Sequence, residues 1–172
     1  FRSSNRKSIE NIFLKNKIYA VIHLAGEAGV RNSVKNPKLF LSSNLVGFLN
    51  IIELIREYKI KNFYFASSSS VYGDAESYPT SETSNTDQPL SFYGATKKSN
   101  EVIAYSYAHL YNIKTIGLRF FTVYGPFGRP DMALFRFTSN ILKGLPIQVF
   151  NNGNHIRDFT YIDDIVDGIS AC

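Results

Sequence analysis

The chain has 172 residues, of which 44% are hydrophobic and 19% charged, and its formal net charge is +5. This composition excludes a disordered chain and fits one domain, or one domain with part of a second. A single cysteine excludes an internal disulfide and favours a reducing compartment, so we expect the cytoplasm. The basic residues are scattered, which favours a small polyanionic ligand over a nucleic acid.

Short apolar segments alternate with segments of helical periodicity, a pattern typical of a parallel sheet with crossover helices. None of the apolar runs approaches the roughly 20 residues that span a membrane, so we expect no membrane span. The predicted elements, in chain order, begin with a helix around 8–13, a buried strand at 20–24, a helix at 38–58 with apolar Leu39, Leu45, Val46, Leu49, Ile52 and Ile55, and a strand at 62–66. A surface loop at 73–89 follows, then a helix from 93 to about 111, a strand at 115–120 and a Gly/Pro-rich loop at 123–130. The last elements are a helix at 132–143 ended by Gly144 and strands at 147–150 and 159–161 on either side of a turn.

Four consecutive serines, residues 67–70, follow the second predicted strand, and Tyr93 and Lys97 open the helix after the surface loop. Four residues apart on a helix, these two side chains share one face, so the ammonium can lie beneath the phenol. A phenol titrates near 10 in water, and a fixed positive charge lowers that pKa. A serine hydroxyl facing the phenol completes a proton relay to a substrate alcohol. Alone the Tyr-x-x-x-Lys spacing is weak, and its strand, loop and helix context gives it weight.

Polar and small residues follow three of the predicted strands. Gly26 and Glu27 come after the first strand, residues 67–70 after the second, and Thr122 after the third. Ligands of doubly wound sheets bind at the carboxyl ends of the strands, so the sequence predicts one site there.

These motifs resemble the extended short-chain dehydrogenase/reductase superfamily, in particular its NAD-dependent nucleotide-sugar epimerases and dehydratases. Residues 21–26 resemble the family's fourth strand and the turn beside the cofactor, and residues 118–126 its sixth strand and following loop. Residues 157–164 resemble the segment that binds the substrate diphosphate. The subfamily with the most similar motifs is UDP-glucuronate 4-epimerase, through residues 28–31 and 125–133.

The resemblance implies an α/β fold, namely the C-terminal half of a Rossmann-type parallel sheet and the start of a small substrate-binding lobe. We expect a partial NAD-binding domain over 1–130 and the beginning of the substrate-binding region over 131–172. No Gly-rich turn of the G-x-x-G-x-x-G or G-x-G-x-x-G type occurs in the sequence. We therefore expect part of a longer enzyme, lacking its N-terminal cofactor half and its C-terminal end. The alternative is a complete small protein that never bound a nicotinamide cofactor.

By resemblance, Tyr93 is the catalytic acid and base, Lys97 also binds the nicotinamide ribose, and Ser68 orients the substrate alcohol. The alternative for Tyr93 is packing on the sheet, and the alternative for Lys97 is a solvated surface lysine. The implied cofactor contacts, in addition to Tyr93 and Lys97, are Leu24, Ala25, Gly26, Asn44, Ala66 and Phe120. The implied substrate contacts are Ser69, Ser70, Arg31, Thr122, Arg129 and Arg157.

Among the substrate contacts, Thr122 and Arg129 align with the loop that binds a sugar carboxylate, and a guanidinium with a hydroxyl suits a planar carboxylate. Arg157 aligns with an arginine on the diphosphate, with a hairpin-edge charge as its alternative. For Asn44 the alternative is a surface asparagine. We expect no metal site. The residues expected to be structural are Asp163 and Asp164 as helix caps and His23 as a packed core residue.

The serines also bear on the reaction. The family's 4,6-dehydratases carry Asp-Glu where this chain has Ser69 and Ser70, and the related decarboxylases carry Glu at the second position. Without these acids a 4-keto intermediate is reduced again rather than losing water, which favours a 4-epimerase acting on a UDP-sugar. The resemblance also implies a homodimer. Glu27 replaces a common Gln and Phe127 a common Trp of the glucuronate subfamily. The alternatives are a 4-epimerase of a neutral or N-acetylated UDP-sugar and a non-catalytic dinucleotide-sensing protein.

Overall fold

The computed structural model describes residues 3–75, 77–154 and 156–172. The chain divides into two compact units, one ending at Phe120 and the other comprising Phe121–Cys172, whereas the sequence placed the boundary after residue 130. Both units contain parallel strands, which confirms the predicted α/β class.

The first unit is a three-stranded parallel sheet with helices between the strands. Its strand order is β1-β2-β3, and the register pairs His23 with Phe65 and Ala66 with Leu118. Its elements are α1 (Arg6–Lys15), β1 (Ala20–His23), α2 (Val30–Lys35), α3 (Pro37–Phe40), a π-helical segment (Leu41–Val46), α4 (Gly47–Glu57), β2 (Asn62–Ala66), a 3-10 turn (Ser69–Tyr72), α5 (Phe92–Tyr111) and β3 (Lys114–Leu118).

An aromatic cluster between α4 and β2 forms the centre of the core. The ring of Phe48 lies 5.5 Å from that of Phe63 and 5.3 Å from that of Phe65, measured between centroids. Phe63 and Phe65 are on the same face of β2 because side chains two residues apart on a strand point the same way. Apolar residues of neighbouring helices pack around this cluster, among them Ile9, Phe13, Ile52, Ile55 and Ala104.

The helical stretch over 37–57 buries only part of the face that its apolar spacing predicted, since Ile52 and Ile55 are buried as expected. A π turn holds about one extra residue, which rotates all later side chains by roughly 100° around the axis. Leu39, Val46 and Leu49 are each 44% exposed, so the predicted face is wrong in part. The residues buried instead include Phe40, Asn44 and Phe48.

This same stretch, Pro37–Glu57, has 21 residues and by length and composition alone is able to cross a membrane, a segment that the sequence did not predict. Phe40, Phe48 and Ile52 on it are almost fully buried, and so is the polar Asn44. Packing of this kind is typical of the core helix of a globular fold, and we interpret it as one.

Strand β1 was predicted to be buried, and that prediction is wrong for most of its length. It is one of the two edge strands of the described sheet, with β2 on one side. Ile22 is 55% exposed and Leu24, directly after the strand, 52% exposed, whereas His23 is buried as predicted. Ile22 and Leu24 lie on the same face, because side chains two residues apart on a strand point the same way, and this face is left uncovered.

The second unit contains two short parallel strands and two helices. Its elements are β4 (Thr122–Tyr124), α6 (Ala133–Leu142), a 3-10 turn (Asn151–Gly153), β5 (Phe159–Tyr161) and α7 (Ile162–Ser170). Gly144 follows α6 with φ of 63°, as expected of a residue that ends a helix.

Three predictions for the second unit are wrong. The start of the expected loop at 123–130 lies in β4, because Thr122 pairs with Phe159 in a parallel ladder. Residues 147–150 form no strand, so the turn after them does not close a hairpin. Asp163 and Asp164 lie in the first turn of α7 rather than at its cap, where their charges still favour the helix dipole.

We expect Phe48→Ala to lower the free energy of unfolding by about 3–5 kcal/mol, because it opens a cavity between three rings. The control is Leu49→Ala, the next residue along α4, which is 44% exposed and should cost much less. Urea unfolding followed by circular dichroism measures both, and equal losses for the two variants would contradict the assigned core.

Candidate functional site

The loops that follow β1 and β2 lie at the same edge of the first sheet, because parallel strands end on the same side. Residues 67–70, called the serine loop from here on, continue the pairing beyond β2. Ser67 N–H donates to Leu118 O (2.8 Å) and Ser69 N–H to Phe120 O (2.9 Å). The serine loop is therefore held by backbone bonds to the end of β3.

Helix α5 presents Tyr93 and Lys97 near its N-terminus. Ser91 is the N-cap, and its hydroxyl accepts from Gly94 N–H at 3.0 Å, which starts the helix just before Tyr93. The Lys97 ammonium lies 6.0 Å from the centroid of the Tyr93 ring, as their spacing predicted. Phe40 covers the ring edge-on, with centroids 6.1 Å apart.

Lys97 is buried rather than a solvated surface lysine, with 6% of its surface exposed. Its Nζ donates to Ala66 O at 2.8 Å, so the end of β2 receives the charge. Burial lowers the pKa of Lys97 from 10.5 to about 8. Burial and the charge of Lys97 together lower the pKa of His23 to about 4, which leaves that imidazole neutral at pH 7.

Asn44 joins the loop after β1 to helix α5. Its Oδ1 accepts from Glu27 N–H at 2.8 Å, while its Nδ2 donates to Glu27 O at 3.0 Å and to Thr96 Oγ1 at 3.1 Å. Thr96 in turn donates to Tyr93 O at 2.7 Å. At 2% exposure Asn44 is no surface residue, and its place in the π segment is typical of the functional sites where such turns occur.

The backbone after β1 lies close to these groups. A Cβ at Gly26 would lie 3.0 Å from Asn44 Oδ1 and 3.7 Å from Lys97 Nζ. Leu24, Ala25 and Gly26 are exposed. An exposed strip of small and apolar residues beside a cation suits a flat ring and its ribose, so these residues fit the nicotinamide end of NAD.

The serine loop approaches the start of α5 closely. A Cβ at Gly94, the neighbour of Tyr93, would lie 2.6 Å from Ser70 O. Ser68 Oγ accepts from Ser70 N–H at 3.2 Å, which caps the 3-10 turn and still leaves the hydroxyl proton for a ligand oxygen. Ser68 is buried, whereas Ser69 and Ser70 are half-buried.

Thr122, Arg129 and Arg157, three predicted substrate contacts, line one pocket of about 490 Å³ within the second unit. Arg129 donates from Nε and Nη2 to the two carboxylate oxygens of Asp131, and this guanidinium lowers the pKa of Asp131. The rest of the lining is largely apolar, with Val123, Met132, Leu134, Phe135, Leu142 and Phe159. The pocket thus combines an apolar surface with two guanidinium groups.

The ligand contacts predicted for Arg31, Ala66 and Phe120 stay predictions. Arg31 is exposed on α2, a short helix that the sequence missed. Phe120 and Ala66 contribute their carbonyl oxygens to Ser69 and Lys97, which are contacts within the protein. The sequence overlooked Thr96 and Phe40, and only their proximity to Tyr93 in the fold reveals them. Within the described ranges no group of three or more His, Cys, Asp or Glu can hold a metal ion.

A parallel α/β sheet that places serines, a tyrosine and a buried lysine at its carboxyl edge defines the short-chain dehydrogenase/reductase class. Residues 2–172 match the model of the NAD dependent epimerase/dehydratase family. The chain belongs to that family.

Similar proteins include both curated relatives and solved structures. The chain is 52% identical over 149 residues to a probable UDP-glucuronate 4-epimerase of Rhizobium meliloti, covering 87% of this chain and 44% of that protein. It resembles the structure of UDP-glucuronic acid 4-epimerase from Bacillus cereus in complex with UDP-glucuronic acid and NAD, with a TM-score of 0.86, 38% identity and coverage of 96% and 51%. For UDP-glucose 4-epimerase from Thermotoga maritima with UDP-glucose, the TM-score is 0.92, the identity 32% and the coverage 97% and 55%. The chain spans about half the length of the curated relatives it matches.

We expect Lys97 to titrate with a midpoint near 8 in the enzyme free of NAD, because burial lowers its pKa from 10.5 to about 8. Between those two pH values the unfolded chain keeps a proton that the folded chain has released, so this group makes the free energy of unfolding rise with pH across that window. NMR of ¹³C-labelled lysine measures the midpoint, and Lys97→Met identifies the resonance. A midpoint above pH 10 would contradict the burial of this ammonium.

Proposed function

We propose that this chain is part of an NAD-dependent 4-epimerase of UDP-sugars, with UDP-glucuronate as its substrate. The observation that carries the proposal is the buried Lys97 beneath Tyr93, beside the serine loop at the carboxyl edge of the sheet. Family membership and the resemblance to UDP-glucuronate 4-epimerases support it.

In this proposal Tyr93 moves the proton of the sugar C4 hydroxyl. The charge of Lys97 lies beside the phenol ring, and the Ser68 hydroxyl orients the C4 oxygen. NAD, when bound, would supply a reversible store for the C4 hydride. Tyr93 returns the proton to the C4 oxygen, so proton and hydride are both restored in each turnover. Lys97 and residues 24–26 would hold the nicotinamide end.

The serine loop favours epimerisation over dehydration. Eliminating water requires a further acid and base beside the sugar, and Ser69 and Ser70 provide neither. The carboxylate of Glu101 does contact the loop at Ser67, but it is hydrogen-bonded to Arg119 by both oxygens. Burial raises its pKa while these bonds lower it, with a net shift below the ordinary value, so it is a poor proton donor at neutral pH.

The pocket of the second unit supports an acidic sugar. Arg129, Thr122 and Arg157 supply donors suited to the carboxylate and the diphosphate, and the apolar lining suits a uracil ring. Arg129 is already paired with Asp131, but both side chains are substantially exposed, at 43% and 53%. An exposed pair contributes roughly 0–1 kcal/mol, so a ligand carboxylate can replace Asp131 at little cost.

Two alternatives make different demands on the same residues. A 4-epimerase of a neutral or N-acetylated UDP-sugar needs no guanidinium for a carboxylate, and its turnover would not depend selectively on Arg129. A dinucleotide-sensing protein needs no proton relay, yet this chain keeps Tyr93, Lys97 and Ser68 together. We propose a homodimer for the whole enzyme, on the family resemblance alone.

Tyr93→Phe in the full-length enzyme should lower kcat by about 10²–10⁴-fold and leave NAD binding nearly unchanged, because it removes the proton relay. Tyr105→Phe is the matched control, since Tyr105 lies on the same helix and is 79% exposed. Coupled assays of UDP-sugar epimerisation and calorimetric NAD titration provide the two readouts. Activity of Tyr93→Phe within a few-fold of the unmodified enzyme would sink the assignment.

Arg129→Leu should lower kcat/KM for UDP-glucuronate far more than for UDP-glucose. A charge-assisted bond to a buried carboxylate contributes roughly 1.5–3 kcal/mol, so the ratio of the two kcat/KM values should change by about ten- to hundredfold. Arg136→Leu on α6, outside the pocket lining, is the control for a general loss of positive charge. An unchanged ratio would remove the reason for naming glucuronate and leave the 4-epimerase chemistry standing.

A further inference from the structure

An ion pair that plays no part in the proposed proton relay lies beneath the serine loop. Arg119 Nε donates to Glu101 Oε1 and Arg119 Nη2 donates to Glu101 Oε2, both at 2.9 Å. The side chains are only 22% and 15% exposed, so the pair is shielded from solvent on most sides. Shielded, bidentate pairs have a defined geometry that exposed single contacts lack.

This pair holds both ends of residues 67–72, the segment that contains the serine loop. At the first end, Ser67 Oγ donates to Glu101 Oε1. At the other end, Arg119 Nη1 donates to the Tyr72 hydroxyl at 3.1 Å, and its guanidinium stacks 4.9 Å from the centre of the Tyr72 ring. Ser68, Ser69 and Ser70 lie between these two anchors.

The two charged residues also belong to the elements that the loop must be aligned with. Glu101 is four residues after Lys97 and eight after Tyr93, so the three share one stripe of α5. Arg119 stands between Leu118 and Phe120, whose carbonyl oxygens accept from Ser67 N–H and Ser69 N–H. Arg119 Nη1 further donates to Glu82 O at 2.9 Å and thereby holds the surface loop.

We propose that the Glu101–Arg119 pair is a positioning unit that aligns the serine loop with the Tyr93 phenol, so that Ser68 meets the substrate hydroxyl. The pair touches no reacting atom and acts through the loop. Through two side chains it connects α5, which carries Tyr93, with the end of β3 and with both ends of residues 67–72. This role rests on the proposed function, because it presupposes a substrate hydroxyl between Ser68 and Tyr93.

A purely structural role for the pair makes a different prediction about kinetics. If the pair only stabilised the fold, its loss would lower the free energy of unfolding without depending on Ser68. If it positions the loop, its effect on kcat must pass through Ser68 and must disappear once that hydroxyl is absent. A double-mutant cycle between the two sites separates these cases.

The test compares Glu101→Gln, Ser68→Ala and the double variant in the full-length enzyme, measuring kcat for UDP-glucuronate epimerisation and NAD affinity. Glu101→Gln keeps the shape of the side chain but removes its charge. We expect it to lower kcat about tenfold or more, with NAD affinity within about twofold, and to lower kcat less than about twofold in the Ser68→Ala background. Glu53→Gln is the matched control, because Glu53 pairs with Arg56 and Tyr107 between α4 and α5, away from the serine loop.

Equal losses of kcat in the two backgrounds, or a folded Glu101→Gln enzyme with full kcat, would overturn the positioning role. If Glu101→Gln does not fold, Tyr72→Phe replaces it, since that change removes one anchor and leaves no unpaired charge. The expected result is then a smaller loss of kcat that also vanishes without Ser68, and a loss that persists there overturns the proposal. Activity of Tyr93→Phe identifies failure of the proposed function instead, in which case the positioning role falls with it.

Discussion

The burial of one ammonium group constrains most of the first unit. Lys97 lies in the interior with its Nζ bonded to Ala66 O, and a buried cation is stable only where donors find acceptors and no second cation is near. The structure meets both conditions, because β2 ends where its last carbonyl faces α5 and because His23 stays neutral at pH 7. The position of the phenol follows, since Tyr93 is one helical turn before the lysine. The loops after β1 and β2 are in turn held against the same helix.

The sequence predicted the parts of this arrangement that depend on local pattern. Strand β2 and the end of α5 agree with prediction, because apolar alternation and helical spacing are strong signals over these lengths. The shared face of Tyr93 and Lys97 follows from helix geometry alone. The role of Asn44 was left open between a cofactor contact and a surface residue. Its burial depends on a π turn that no side-chain pattern announces.

Two failures in the second unit have a common cause in pairing between distant segments. Residues 123–124 directly precede the glycine- and proline-rich stretch 125–130 and were predicted as loop with it, yet they lie in β4 because Phe159–Tyr161 pairs alongside them. The same parallel pairing excludes the hairpin expected around the Asn151 turn. Arg119 was overlooked in its apolar context, although a charge inside a strand sequence is a signal that a buried partner exists. Glu101, four residues after Lys97, was equally visible in the spacing.

The π-helical segment lets α3 and α4 pack on the same core although one extra residue stands between them. Removing one residue from Leu41–Val46 would convert the segment to regular α-helix and leave α3 and α4 facing much as they do, because the π turn is what accommodates the extra residue. Only the residues inside the segment would change place, and Asn44 would lose its position opposite Glu27 and Thr96. The extra residue therefore matters more for the link between the loop after β1 and α5 than for the packing of the core.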